Sequence, residues 1–328
     1  PEPIPWGNAG RTFDLQTNES LAPFRNGEIK GFTISSAGTK CFVAQTESGR
    51  MAGYCSGTLK NGASGNPRAT AHLMPGGRKV PEPWFIYSIS VPSELPIPGD
   101  PSVEFIATGN LTSCAILANG RVACWGDNRF GQAGSQRRVV GAPCYQPCEA
   151  VPYIVPTDMG RVVNLSMGRW HACAVNRRGA VYCWGANGYN QTGAVSDDVP
   201  CSIYRRACVR EPTRVQGLPP IVDIALGEHH SCALDEQGSV WCWGDNEKGQ
   251  LGIGQAGITT REGATTSNTP LLVGRLTDIT NITAGFASNC ARSSRGQVYC
   301  WGSNNGGQLG NGGCAQAVPS PIEVDFGF

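Results

Sequence analysis

The sequence predicts an all-β fold: a β-propeller of four-stranded blades, with five recognisable repeats and a blade number between five and seven. Three observations predict it. A hairpin pattern returns at a constant period, each hairpin carries a cysteine pair at constant spacing, and the composition favours turns over charge. Glycine reaches 44 residues and proline 23, while charged residues make up only 16%. Such a chain suits many short strands joined by tight turns and disfavours helical bundles.

The repeat is read directly from four segments: SCAILANGRVACWGDN, ACAVNRRGAVYCWGAN, SCALDEQGSVWCWGDN and NCARSSRGQVYCWGSN. Their first cysteines are Cys114, Cys173, Cys232 and Cys290; their second are Cys124, Cys183, Cys242 and Cys300. Each pair is ten positions apart, and the copies recur every 58 or 59 residues. A period this regular points to a propeller or solenoid. An apolar segment leaves the first cysteine, a turn closes at Gly120, Gly179, Gly238 or Gly296, and an alternating segment returns. That is a β-hairpin in which glycine supplies the positive φ of the turn. The cysteines flank the turn symmetrically, so they face one another across antiparallel strands within disulfide reach. The expected disulfides are Cys114–Cys124, Cys173–Cys183, Cys232–Cys242 and Cys290–Cys300. Zinc would call for Cys-x-x-Cys knuckles or nearby histidines, and the hairpin spacing supplies neither. No metal site and no cofactor is expected.

A fifth, worn copy lies near the N-terminus, where Cys41 is expected to pair with Cys55 and Tyr54-Cys55-Ser56-Gly57 replaces Tyr-Cys-Trp-Gly. Terminal repeats are often atypical in this way. In the other copies the second cysteine is followed by Trp125, Trp184, Trp243 or Trp301, each then by glycine, and the loop ends in Gln132, Gln191, Gln250 or Gln308. The tryptophans are expected to pack between blades, because an indole buries a large apolar area. The glutamines are expected to bridge to backbone.

Val-x-Cys-Trp-Gly-x-Asn-x-x-Gly-Gln-Leu-Gly, preceded by Gly-x-x-His-x-Cys-Ala-Leu, resembles the repeat of the regulator-of-chromosome-condensation family. The resemblance covers about residues 28–328. It implies a propeller with one four-stranded sheet per blade. The paired cysteines resemble secreted members of that family, in contrast to its nuclear exchange factor.

The expected organisation is an N-terminal arm or closing strand over 1–27, then a propeller over 28–328. Its repeats lie near 28–65, 103–134, 161–193, 220–252 and 277–310, with a proline-rich insertion over 64–102. Pro-x-x-Val segments such as Pro212–Val215 and Pro270–Val273 read as the strand that opens each repeat. On that reading Pro321–Val324 is one strand too many, and it becomes available for ring closure or for pairing with a neighbouring subunit. The loop cysteines are expected to pair locally as Cys144–Cys148 and Cys201–Cys208, leaving Cys314 unpaired or intermolecular.

Fifteen cysteines point to an oxidising compartment, and a chain that opens on Pro1 reads as a mature form released from a leader. The expected location is secreted, extracellular or at the cell surface. The formal net charge of +1 selects neither nucleic acid nor an anionic membrane, and no apolar run is long enough to span a bilayer. Asn18, Asn110 and Asn190 are glycosylation candidates within Asn-x-Ser/Thr. Asn164 and Asn281 also fit that pattern, but share a strand register with Asp223 and read as structural. His171 and His230 share one repeat position that Thr112 and Ser288 fill elsewhere, so no ring of histidines forms. No nucleophile elbow, phosphate loop or zinc-protease motif appears. The leading reading is a non-enzymatic extracellular module for protein interaction or assembly: a surface coat, adhesin or filament subunit, partnered by another protein or by itself through a terminal strand. The alternatives are a secreted enzyme inhibitor, for which Trp84 and Trp170 are candidate contacts, and a carbohydrate-binding propeller. Guanine-nucleotide exchange is the least favoured, since a nucleus reduces disulfides.

Overall fold

The computed structural model describes residues 29–46, 48–58, 88–99, 101–135, 147–156, 158–195, 201, 207–257, 265–274 and 276–325. Among them twenty strands form five antiparallel four-stranded sheets, each with its strands in sequence order. The first sheet holds β1 (Ile29–Ile34), β2 (Lys40–Gln45), β3 (Met51–Thr58) and β4 (Ser88–Glu94). The second holds β5 (Val103–Thr108), β6 (Thr112–Leu117), β7 (Val122–Asp127) and β8 (Cys148–Ile154). The third holds β9 (Val162–Met167), β10 (His171–Asn176), β11 (Val181–Ala186) and β12 (Cys208–Arg214). The fourth holds β13 (Ile221–Leu226), β14 (His230–Asp235), β15 (Val240–Asp245) and β16 (Thr266–Leu272). The fifth holds β17 (Ile279–Ala284), β18 (Ser288–Ser293), β19 (Val298–Ser303) and β20 (Ala317–Glu323).

The described residues fall into two compact units, one within Gly10–Arg161 and one within Val162–Phe328. The first unit contains the first and second sheets. Cys41, Val43, Cys55, Leu95 and Ile97 pack against Ile106, Ala115, Leu117, Ala123 and Trp125 between them. The second unit contains the other three sheets, stacked by the same device. Cys173, Val175, Cys183 and Val215 meet Ile221, Ala233 and Trp243; Cys232, Leu234, Cys242 and Val273 meet Ile279, Ala291 and Trp301.

The fourth strand of each sheet departs from the sequence reading. The Pro-x-x-Val segment does not open a repeat; it closes one, pairing back onto the Cys-Trp-Gly strand of its own sheet. In every sheet the ladder breaks there: Cys242 pairs with Leu271 but Gly244 with Ser267, so three residues bulge out, Pro270 among them. The same bulge holds Pro92, Pro152, Pro212 and Pro321. Proline cannot donate to a ladder, and an outer-strand bulge is where it costs least. The C-terminal strand is therefore not surplus, because β20 completes the fifth sheet. Likewise residues 88–94, inside the segment read as an insertion, form the fourth strand of the first sheet, and Leu95 and Ile97 just beyond them enter its core. The apolar stretch Trp84–Tyr87 lies outside the described residues, as do residues 1–27.

Trp-Gly follows from backbone geometry. Gly126, Gly185, Gly244 and Gly302 sit at φ of 104°, 106°, 99° and 102°. A Cβ at Gly244 would lie 2.6 Å from the His229 carbonyl oxygen, and one at Gly302 2.5 Å from that of Ala287. Only glycine fits both the torsion and the space.

Candidate interaction surface

The site grows from the short loop that joins the first and second strands of each sheet, written Gly-x-x-His in the third and fourth. The terms of this motif act differently. The imidazoles of His171 and His230 are fully buried and fill the space where a side chain on the glycine would stand. A Cβ at Gly168 would come within 2.4 Å of His171 Cε1, and one at Gly227 within 2.1 Å of His230 Cε1. In the fifth sheet Ser288 replaces the histidine, and the nearest atom to a Cβ at Gly285 is its Oγ at 3.1 Å.

The buried histidines tie sheet to sheet. His171 Nε2 lies 3.0 Å from Ser231 Oγ, and Ser231 Oγ donates to the Gln191 carbonyl at 2.7 Å. His230 Nε2 donates to Asn289 Oδ1 at 2.8 Å, and Asn289 Nδ2 donates to the Gln250 carbonyl at 2.8 Å. The same two carbonyls accept the indole N–H of Trp243 at 2.9 Å and of Trp301 at 3.0 Å. Gln191 and Gln250 thus serve the next sheet through their main chain. Their side chains serve their own loop, where Oε1 accepts from Tyr189 N and Lys248 N. Desolvation keeps both imidazoles neutral: burial first, with the neighbouring His229 and His230, pushes His171 down to about 3. Burial pushes His230 down to about 4 against the opposing bond from Asn289. These groups are struts, not proton donors at neutral pH.

The two x positions face outward and converge. Arg169 N donates to the Gly227 carbonyl at 3.3 Å and Glu228 N to the Phe286 carbonyl at 2.9 Å, so three loops are laced side by side. The Arg169 guanidinium pairs with the Glu228 carboxylate. It also stands 5.4 Å from the Trp170 ring centroid and 5.7 Å from that of Phe286, within cation–π range. Tyr189 stacks on His229 with centroids 4.2 Å apart and planes at 19°, and His229 Nε2 lies 3.6 Å from Glu228 Oε1. Phe286 remains 67% exposed, among the most exposed large apolar side chains described. An exposed aromatic beside a partly desolvated arginine is the composition found at binding hot spots.

The structure joins Cys41 to Cys55, Cys114 to Cys124, Cys173 to Cys183, Cys201 to Cys208, Cys232 to Cys242 and Cys290 to Cys300. Cys148 is also disulfide-bonded, while Cys144 lies outside the described residues. Cys314 is exposed and free. Trp125, Trp184, Trp243 and Trp301 are fully buried. Asn110 is half-buried, its Oδ1 accepting from Ser36 Oγ at 3.0 Å; Asn190 sits at φ 61° and donates to Thr266 Oγ1 at 2.8 Å. Asn18 lies outside the described residues. Asn164 Nδ2 donates to Asp223 Oδ1 at 2.9 Å, binding neighbouring first strands. Burial holds the Asp223 carboxyl above its usual range despite that bond. Among the described residues no three His, Cys, Asp or Glu side chains cluster to hold a metal, and no helix is long and apolar enough to cross a membrane.

Residues 6–327 match the RCC1-like domain. The chain belongs to the RCC1-like family. Its fold is therefore a β-propeller, with each four-stranded sheet one blade and about five blades in all. Among family relatives it is 30% identical over 236 residues to protein pim1 of Schizosaccharomyces pombe, covering 68% of this chain and 41% of that one. It is 27% identical over 330 residues to the mitochondrial RCC1 domain-containing protein RUG3 of Arabidopsis thaliana, covering 98% of this chain and 65% of that one. It spans less than two thirds of either relative's length. Of solved RCC1-like structures, Prp20p of Saccharomyces cerevisiae, studied for its binding to Gsp1p and histones, superposes at TM-score 0.70. That match has 20% identity and covers 94% of this chain and 66% of that one. Human WBSCR16 also gives TM-score 0.70 at 20% identity, covering 92% and 69%.

The two histidines were visible in the sequence as a repeat position. The surface above them was not, except for Trp170. Its residues are the ones that differ from copy to copy: Arg169 and Trp170, Glu228 and His229, then Phe286 and Ala287. Variation at fixed positions of an otherwise constant loop is the signal that finds them.

Proposed function

We propose that this chain is an extracellular, non-enzymatic protein-interaction module, and that the Arg169–Trp170–Glu228–Phe286 surface takes the protein partner. An RCC1-like propeller supports the module reading, and Prp20p offers a precedent for protein binding by the fold. The observation that carries the choice of surface is the 67% exposed Phe286 under a guanidinium already held by Glu228 and Trp170. An anchor held in place before contact loses less side-chain entropy on binding. The disulfide in each described sheet supports the extracellular location. Asn18, Asn110 and Asn190 would carry glycans there, which glycosidase treatment and a mass shift would test.

A photo-crosslinking phenylalanine analogue at position 286, applied to the protein in its source medium, tests the surface. A discrete protein adduct is expected at 286, lost in Arg169→Ala, and none with the probe at the exposed Val195. Equal crosslinking at both positions overturns the assignment. Non-reducing mass mapping of source material tests the compartment. Free thiols at Cys114 and Cys124 would overturn it and favour an exchange factor in a reducing compartment.

A further inference from the structure

Asn-Gly occurs six times in the chain, and the described residues hold four of these steps, at Asn119, Asn187, Asn305 and Asn311. Such a step is chemically labile: the main-chain nitrogen after asparagine can attack the side-chain amide, and glycine has no Cβ to obstruct the five-membered ring. The structure treats the four differently. In the hairpin turn at Asn119 the nucleophile is held, since Gly120 N donates to the Leu117 carbonyl at 2.7 Å. Asn187 is only 3% exposed, and its amide is locked at both ends: Oδ1 accepts from Thr192 N at 3.0 Å, and Nδ2 donates to the Ala194 carbonyl at 2.9 Å. At Asn305 the nitrogen is again held, with Gly306 N donating to Gln308 Oε1 at 2.9 Å. Asn311 and Gly312 are both exposed, and Gly312 sits at φ 75°. Here the hydrogen bonds go to the electrophile instead. Asn311 Oδ1 accepts from Asn304 Nδ2 at 2.9 Å and from Gly313 N at 3.2 Å. Backbone donors fix the orientation of both amides. Leu309 N donates to Asn304 Oδ1 at 3.0 Å, which leaves Asn304 Nδ2 as the donor, and Gly313 N can only donate.

We propose that Asn311–Gly312 is a self-modifying site, at which the chain converts its own asparagine to isoaspartate with water as the co-substrate. Gly312 N loses its proton to a solvent base and attacks Asn311 Cγ. A C–N bond forms, and negative charge collects on Oδ1. The two donors already aimed at Oδ1 stabilise that charge as an oxyanion hole does. The Cγ–Nδ2 bond then breaks, and ammonia leaves into solvent, taking a proton from water. Water opens the resulting succinimide at either carbonyl. The net change is asparagine plus water to isoaspartate or aspartate plus ammonia. The donor Asn304 has a fixed task in the repeat. Its counterparts close their loops through Asn128 Nδ2 to the Ser135 carbonyl, Asn187 Nδ2 to that of Ala194 and Asn246 Nδ2 to that of Gln255. Asn304 Nδ2 closes its loop on the Gly313 carbonyl at 2.9 Å while donating to Asn311 Oδ1. The loop-closing amide of the repeat thus doubles as the activating donor. Isoaspartate routes the main chain through its side chain and sets a carboxylate beside that tie, so the loop is remodelled with age.

The test incubates the full chain, disulfides intact, in H₂¹⁸O at mildly alkaline pH and maps it by peptide mass spectrometry, scoring isoaspartate apart from aspartate. Opening of the succinimide installs a solvent oxygen, which separates the reaction from deamidation during digestion. The expected result is label at Asn311 ahead of Asn119, Asn187 and Asn305, mostly as isoaspartate. Unfolding in urea should slow Asn311 and speed the other three. Asn304→Asp keeps the acceptor for Leu309 N but removes the donor to Asn311, and should slow labelling at Asn311 by at least about tenfold without slowing Asn119. Label at Asn311 no faster than at Asn119 in the native chain overturns the proposal, and so does an Asn311 rate unchanged in Asn304→Asp. Where that variant fails to fold, the unmodified chain decides: an Asn311 rate that rises in urea means that the fold protects the step, and overturns the proposal.

Discussion

Acid should loosen the stacked sheets of the second unit through two protons. Free imidazoles titrate near 6.5, but His171 and His230 are held down to about 3 and about 4 by burial. Above pH 6.5 both are neutral whether the chain is folded or not, so their contribution is complete. Below it the unfolded chain takes up protons that the folded chain refuses, so stability falls as pH falls, down to the folded values. Each such proton contributes a slope of about 1.4 kcal/mol per pH unit, hence about 2.7 for the pair. Between pH 6.5 and 4.5 the pair removes roughly 5 kcal/mol, comparable with the entire stability of many domains. Asp223 and Asp245 act in the opposite sense. Burial raises both, so the folded chain holds their protons more tightly and gains from acid, which flattens the lower end of the curve. The assay is urea unfolding followed by tryptophan fluorescence, with disulfides intact, at half-unit steps from pH 4.5 to 7. His230→Ala will be less stable at pH 7, because Asn289 loses its donor, yet its slope should fall by one proton. Its stability should approach that of the unmodified protein as pH drops. An identical slope in His171→Ala, His230→Ala and the unmodified chain would refute the strut assignment.

The geometry makes three further predictions. Gly227→Ala should cost several kcal/mol, because its Cβ would lie 2.1 Å from His230 Cε1 and 2.8 Å from the Gly285 carbonyl oxygen. Gly285→Ala, with 3.1 Å to a serine hydroxyl, should cost under about 1 kcal/mol, and thermal melts of the two variants would rank them. Trp243→Phe should cost about 1–2 kcal/mol through the lost bond to Gln191, which Ser231 still satisfies, and Trp243→Ala about 3–5 kcal/mol through the cavity; equal urea midpoints would contradict this. Replacing Cys232 and Cys242 together by alanine should cost roughly 2–3 kcal/mol, the closure entropy of a ten-residue span, read as a lower urea midpoint.

How much of this was legible depended on whether a residue's reason for being there is repeated. Four cysteine hairpins recur at a ten-residue spacing because both partners lie on adjacent strands joined by a turn of one length, while the Cys41–Cys55 hairpin, at fourteen, keeps the cross-strand register with a longer connection. The fourth strand recurs equally, but a loop of variable length separates it from its partner. Its most visible residue is a proline, which reads as a break in a strand and in fact marks the bulge of one. Periodicity alone left that strand equally assignable to the sheet before it or the sheet after it. The ladder from Tyr299 to Glu323 decides for the sheet before it. The same error turned residues 88–94 into an insertion, because a long stretch separates them from β3 and hides the register.

The interaction surface escaped for the opposite reason. Constant positions of the repeat do the same work wherever they recur: the disulfide in all five sheets, the indole in four, the carbonyl that receives it, and the glycine that makes room for a histidine in the third and fourth. A residue with one task in all sheets can only be scaffold, since a partner meets the molecule at one place. The two positions between glycine and histidine have no shared task, and there the sequence runs Arg-Trp, Glu-His, Phe-Ala. Each loop is held by its neighbour's backbone, so these six side chains are presented as one patch whatever their identity. Arg169 and Glu228 compensate one another's charge across two loops while Trp170 and Phe286 flank the guanidinium, an arrangement that no single repeat encodes. The repeat thus fixes where the patch stands, and departures from the repeat decide which side chains it presents.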